Sequence, residues 1–267
     1  MTTEKDSPTE LPTDPPTDSP GQRRATPALY LRSILFWLGF IPSTVIFACL
    51  IILLWLAPLQ LRYRLVRGHP RFNLWWLRVT CGLSYRLQGM QNLPSQPSIL
   101  YAKHQSTWET LAIAGLFPPA AFVAKRELLR VPFFGWGMAA LRYLTIDRSA
   151  GKRAVMQIVE QARDRRQRYG LWVAIFPEGT RRAVGDAPDY KIGGAIAATE
   201  LGMPLVPIAH NAGLYWPRHS FIKWPGEITL IVGQPIDPEG KTASALTREA
   251  RDWIEARMVE IGVGARD

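Results

Sequence analysis

Residues 152–182 read KRAVMQIVEQARDRRQRYGLWVAIFPEGTRR. The order of patterns in that stretch sets the class of fold. Val155, Ile158, Val159 and Ala162 recur at i, i+3, i+4 and i+7, the mark of one face of an amphipathic helix over 152–169. The apolar run 171–176 follows at once and reads as a strand. Outward from this pair, further strand candidates lie at 84–87, 98–102, 121–124, 143–146, 205–209 and 227–232. Helical patterns at 193–201 and 244–259 fall among and after them. Strands alternating with helices predict an α/β fold, with a largely parallel or mixed sheet flanked by helices. No internal repeat interrupts the series.

A chain of 267 residues holds one such domain with a sizeable core, plus an anchor or tail. With 47% hydrophobic and 20% charged residues, the chain as a whole is not disordered. Its two cysteines, Cys49 and Cys81, exclude a disulfide scaffold, and the lack of a CxxC pair excludes a zinc ribbon. Residues 1–27 are rich in Thr, Pro, Asp and Ser and predict a disordered acidic tail. Five acids against one base in residues 1–20 give that part −4, so the rest of a chain of net charge +10 carries +14. A basic body of this kind favours phosphate-bearing partners.

Between Arg32 and Arg62 lie 29 residues without a charge. The densest part, 34–57, would rise about 36 Å as a helix, enough to cross a hydrocarbon core of roughly 30 Å. The segment 28–61 is therefore expected to anchor the chain in a membrane. Pro42 leaves two forms open: one kinked helix, or a hairpin of two short helices dipping into one leaflet. Residues 62–82 form a basic juxtamembrane segment; Arg62, Arg64, Arg67, Arg71, Arg78 and, just beyond, Arg86 occur with no acid among them. They predict contact with anionic membrane phospholipids and a cytoplasmic placement of the domain over 83–267. Trp75 and Trp76 suit a headgroup boundary.

Three constellations carry chemistry. In the first, Lys103-His104-Gln105-Ser106-Thr107-Trp108-Glu109, a strand gives way to a helix. His104 and Glu109 would point roughly 140° apart on one regular helix. They meet only with His104 in the preceding loop and Glu109 in the first turn, with Ser106 as cap. The carboxylate would then orient the imidazole for general-base work. Alternatively, Ser106-x-x-Glu109 is a capping box and nothing more. In the second, Phe176-Pro177-Glu178-Gly179-Thr180-Arg181, a glycine turn, a hydroxyl and two arginines (Arg181 and Arg182) can hold an anion. A plain turn with a surface salt bridge is the other reading. The third runs from Lys125-Arg126-Glu127-Leu128 through Pro132-Phe133-Phe134-Gly135 to Asp147-Arg148. Lys125 and Arg148 would project near a ligand crevice at strand carboxyl ends, and the apolar loop would line a groove for a chain-like ligand. A buried helix with surface cations would fit the same residues.

Taken together and in this order, the constellations resemble the lysophosphatidic acid acyltransferase family. The family's H-x4-D is represented by His104 and Glu109, its K-x-E-L and P-x-x-G by Lys125 to Leu128 and Pro132 to Gly135, its F-P-E-G-T-R by Phe176 to Arg181, and its proline-bearing strand by Val206-Pro207-Ile208. The match covers roughly residues 84–235. Glu109 stands where aspartate is usual.

The resemblance implies acyl transfer from an acyl thioester, acyl-CoA or acyl carrier protein, to the free hydroxyl of lysophosphatidic acid. His104 would act as base and Glu109 would fix its tautomer. Arg181 and Lys125, with Glu178, Gly179 and Thr180, would form the site for the acceptor phosphate, Glu178 by helping to order that loop. No cofactor is expected. No metal is expected either, because His69, His210 and His219 lack clustered ligand spacing. Another lyso-lipid acceptor, such as a lyso-ornithine lipid, is the main alternative. A metal-dependent phosphoesterase using His104, Glu109 and Asp147, or a non-catalytic lipid-binding protein, are further ones. Nucleic acid is disfavoured as a partner, since the bases lie beside the anchor and no binding motif occurs.

Overall fold

A computed structural model describes residues 23–263. The acidic tail expected over 1–27 lies, except at its end, outside the described residues. In chain order the elements are α1 (Pro27–Leu53), α2 (Leu59–Val66), α3 (Gly68–Cys81), β1 (Leu83–Gln88), β2 (Ile99–Ala102), α4 (Trp108–Leu116), β3 (Ala120–Lys125), α5 (Phe134–Ala140), β4 (Leu144–Ile146), α6 (Lys152–Tyr169), β5 (Trp172–Ile175), α7 (Gly193–Leu201), β6 (Leu205–His210), β7 (Gly226–Val232) and α8 (Ala243–Glu260). All seven expected strands form, and so do the three expected helices.

The strands make one mixed sheet in the order β1-β7-β6-β2-β5-β3-β4. Neighbours are parallel throughout except β6 and β7, which are antiparallel. Five strands (β6, β2, β5, β3 and β4) thus point their carboxyl ends to one edge. Strand order reverses about β2 there, the position where open α/β sheets hold ligands. Every residue of β2 and β5 is buried, which explains their unbroken apolar runs. In β7 buried residues alternate with half-buried ones, as in a strand covered mainly on one face. Helices α6, α7 and α8 pack side by side as one group, and α1, α3, α4 and α5 pack as a second.

Pro42 does not split the apolar segment expected to be the anchor. α1 runs through it as one helix of 27 residues, long and apolar enough to cross a membrane, so of the two forms left open at Pro42 the single helix is the one present. The hydroxyls of Ser43 and Thr44, just after the proline, donate back to the Phe40 carbonyl at 3.0 and 2.7 Å, so both are satisfied within the helix. The early turns of α1 are fastened to the body. The Lys223 N–H donates to Ser33 Oγ at 3.1 Å, and Trp37 Nε1 donates to the Phe221 carbonyl at 3.1 Å. The buried Lys223 ammonium lies 3.9 Å from the Trp37 ring centre and 4.6 Å from that of Trp216, in cation–π contact with both.

The basic segment after the anchor folds as α2 and α3, and it is not uniformly a surface. Arg62, expected among headgroups, is only 6% exposed and donates to the Ala140 carbonyl. Tyr63 Oη donates to the Leu141 carbonyl at 2.9 Å. Together they satisfy carbonyls at the end of α5 that the helix itself leaves open. Arg64, Arg71 and Arg78 remain exposed. Trp75 is exposed as expected, whereas Trp76 is half-buried and donates to the Leu35 carbonyl of α1 at 3.1 Å.

Candidate active site

His104 follows β2 by two residues, in the loop that enters α4. Its Nδ1 lies 2.8 Å from Glu109 Oε1. The same oxygen accepts the backbone N–H groups of Gln105 at 3.0 Å and Ser106 at 2.9 Å. The two sequence readings of this segment therefore coexist, because one carboxylate oxygen both caps the loop and holds the imidazole. Ser106 itself lies one residue before the helix cap, Thr107, and its Oγ accepts from the Trp108 N–H at 3.1 Å.

Glu109 is fully buried. Burial pushes its carboxyl upward, but the His210 and His104 rings and the Ser106 N–H outweigh that, so it titrates below the usual carboxylate range. An ionised acceptor at Nδ1 fixes the proton there and leaves the Nε2 lone pair of His104 available. The His104 side chain is 14% exposed, and the ring lines the groove.

The loop after β5 is locked to the His104 loop. The Phe176 ring stacks on the imidazole with centres 3.9 Å apart and planes 12° apart. The Arg182 N–H donates to the His104 carbonyl at 2.8 Å. Glu178, expected beside the acceptor phosphate, instead turns inward. It is buried in an ion pair with Lys103 Nζ at 2.9 Å, directly behind the histidine. Lys103 Nζ also pairs with Glu255 of α8 at 2.7 Å, and Tyr190 Oη donates to the same Glu255 oxygen at 2.9 Å. Burial, opposed by Lys103, pushes the Glu178 carboxyl up to about 7.

A groove of about 600 Å³ opens at this edge of the sheet. His104 lines it, with Lys125, Arg148, Arg181 and Lys191 bringing positive charge and Phe122, Met138, Tyr143 and Ile158 an apolar surface. Gly179 (φ +71°) and Thr180 line it too. A Cβ on Gly179 would lie 3.0 Å from the Lys191 ammonium, so glycine both allows the turn and admits that cation. Gly135 is needed for another reason: a Cβ there would sit 2.4 Å from the carbonyls of Leu128 and Leu129. The apolar loop thereby packs down as α5, so the groove wall and the expected helix are one element. Asp147 spends its carboxylate on Ser149, accepting its N–H at 2.9 Å and its hydroxyl at 2.5 Å.

Sequence reading named His104, Glu109, Lys125, Glu178, Gly179, Thr180 and Arg181, and all but the buried Glu109 and Glu178 line this groove. It missed Lys191, Phe176 as a stacking partner, and the Lys103–Glu255–Tyr190 cluster. Lys103 stood next to His104 in the motif, but its acidic partners lie 75 and 152 positions away, with no local signal joining them. Among the described residues, no group of three or more His, Cys, Asp or Glu side chains is gathered to hold a metal.

Comparison with known proteins agrees with this architecture. The family described as Acyltransferase matches residues 84–211. A 1-acyl-sn-glycerol-3-phosphate acyltransferase of Pseudomonas aeruginosa is 41% identical over 236 residues, covering 86% of this chain and 91% of that protein. The protein of the same name from Saccharomyces cerevisiae is 30% identical over 195 residues, 70% of this chain and 63% of its own length. The crystal structure of the 1-acyl-sn-glycerophosphate (LPA) acyltransferase PlsC from Thermotoga maritima superimposes with a TM-score of 0.74 over 89% of this chain and 97% of that one. At 21% identity, that likeness speaks for the fold.

Proposed function

The chain belongs to the 1-acyl-sn-glycerol-3-phosphate acyltransferase family, and from that premise we propose how its groove carries out the reaction. The enzyme transfers a fatty acyl group to the free hydroxyl of 1-acyl-glycerol 3-phosphate, giving phosphatidic acid for phospholipid synthesis. The donor is an acyl thioester of coenzyme A or of acyl carrier protein. His104 Nε2 takes the hydroxyl proton as the oxygen attacks the thioester carbonyl. The C–S bond then breaks, and the imidazolium returns its proton to the departing thiolate. Glu109 keeps the proton on Nδ1 and offsets the imidazolium charge. Arg181 and Lys125 hold the acceptor phosphate, with the Gly179–Thr180 turn beside them; Arg181 serves as the bidentate group. Glu178 acts from behind, by fixing Lys103 and so the loop that carries His104. α1 and the segment to residue 61 serve as the anchor in this reading, and the exposed arginines after it support a cytoplasmic orientation of the body.

The observation that carries this reading is the 2.8 Å His104–Glu109 contact in a groove that also holds Arg181. Purified enzyme in detergent, offered one labelled acyl-CoA and a panel of lyso-lipids, should acylate 1-acyl-glycerol 3-phosphate in preference to lyso-lipids lacking the phosphate monoester. His104→Ala should abolish the transfer. Equal use of a phosphate-free acceptor would overturn the phosphate assignment, and full activity in His104→Ala the assignment of the base.

A further inference from the structure

A second histidine stands behind Glu109, and the reaction as set out above gives it no part. His210 is the last residue of β6, and its ring is completely buried. The Ala212 N–H donates to its Nδ1 at 3.3 Å, which requires a lone pair on that nitrogen. Nε2 lies 2.9 Å from the Lys103 carbonyl, which can only accept. One neutral tautomer meets both demands, with hydrogen on Nε2 alone. Burial favours that neutral state, since it holds the ring's titration below the ordinary histidine value despite Glu109. The titratable groups that face the ring are Glu109 on α4, and His104 and Lys103 in the loop after β2.

The Nε2–H edge also looks at Glu109. Nε2 is 3.9 Å from Oε2, the carboxylate oxygen that is buried without a hydrogen-bond partner. All three donors to this carboxylate crowd onto Oε1. An ionised group buried in the protein needs positive dipole near both oxygens, and the His210 N–H supplies it on the Oε2 side. It also pins the Lys103 carbonyl, one residue before His104.

We propose that His210 is a positioning residue for acyl transfer, the third member of a His104–Glu109–His210 unit, whose Nε2–H sets the direction and charge of the Glu109 carboxylate and thereby the basicity of His104. The proposal rests on the assignment of His104 as the base. With the N–H gone, the carboxylate is less well solvated and attracts the His104 proton more strongly. The acidic limb of the kcat profile, where His104 becomes protonated, should then move to higher pH.

Two substitutions separate the Nδ1 contact from those of the Nε2–H edge. His210→Asn can offer its amide oxygen to the Ala212 N–H but has no donor where Nε2 stood. His210→Gln places an amide N–H near the Nε2 position and gives up the Ala212 contact. The Asn variant should lose about tenfold or more in kcat, with KM for 1-acyl-glycerol 3-phosphate within about twofold, and its acidic limb should rise by about 0.5 pH unit. The Gln variant should keep most of kcat and the wild-type limb. His210→Phe, which keeps ring volume and has no N–H, should match Asn and replaces it if Asn does not fold. A role confined to packing would lower the melting temperature and leave the limb in place. An unmoved limb in the donor-free variants, or equal losses in Asn and Gln, overturns the proposal. His104→Ala measured alongside reports on the base itself: activity surviving there removes the premise, whereas its loss together with an unmoved limb in the Asn variant removes only the role of His210.

Discussion

Glu109 shows how much one carboxylate oxygen can be asked to do. Its Oε1 ties down two backbone N–H groups and the imidazole at once, so loop entry and base orientation share one anchor. Glu109→Gln keeps a carbonyl oxygen able to accept the same bonds but removes the charge. We expect kcat to fall about 10²-fold with little change in KM, and the double variant with His104→Ala to be hardly worse than His104→Ala alone, as for groups that act as a unit. Steady-state kinetics at saturating donor decide this; multiplying losses would show independent roles. For Arg181→Lys a point charge replaces a fork, and KM for the acceptor should rise severalfold; an unchanged KM would place the phosphate elsewhere. Glu178 makes the pH prediction. Its folded-state value of about 7 lies above the roughly 4.3 of an unfolded glutamate. The folded protein therefore holds the extra proton between those values, and this residue's contribution to stability falls as pH rises through that window. Relative to Glu178→Gln, wild type should lose melting temperature between pH 5 and pH 8. A gap that stays constant across the range would refute the raised carboxyl.

At the level of elements, the strands were legible because their apolar runs are short, bounded, and buried on both faces, as in β2 and β5. The amphipathic α6 was legible from its period, and the long apolar α1 from its lack of charge. Three features were not. The antiparallel turn of β7 against β6 leaves no mark in composition. The inward face of Glu178 depends on Lys103 and Glu255, which only the fold brings together. Arg62 was read with its basic neighbours as a surface residue, because a sequence does not show which arginine of α2 meets the carbonyls ending α5. That difference can be measured. Arg64→Gln with Arg78→Gln should weaken binding to anionic vesicles more than to neutral ones and leave the melting temperature in place. Arg62→Gln should do the reverse, lowering the melting temperature by a few degrees through an unsatisfied helix end. Sedimentation with vesicles of both compositions, beside thermal scans, separates the two; equal effects of Arg62 and Arg64 would contradict the burial of Arg62.

Across the whole molecule, α1 and the groove belong to one body. α1 packs on α3 and α5, and α5 carries part of the groove wall. The early turns of α1 are held by Lys223 and Ser33, and by the Trp37 indole on Phe221. A helix fastened in this way behaves as a strut, not as a tether. With α1 seated in a bilayer, the height and tilt of the groove are set by the protein, and an acceptor that resides in the same leaflet meets it by sliding sideways. The quantity governing encounter is then how many acceptor molecules occupy each unit of surface, not how many occupy each litre. Enzyme reconstituted with 1-acyl-glycerol 3-phosphate at fixed total concentration, and with increasing inert phosphatidylcholine, should slow in proportion to the falling mole fraction once that fraction is below saturation. A rate that follows total concentration alone would mean that the acceptor reaches the groove through water. Cutting the fastening by Trp37→Ala should weaken this dependence, because a loosened body can tilt away and sample acceptor off the surface.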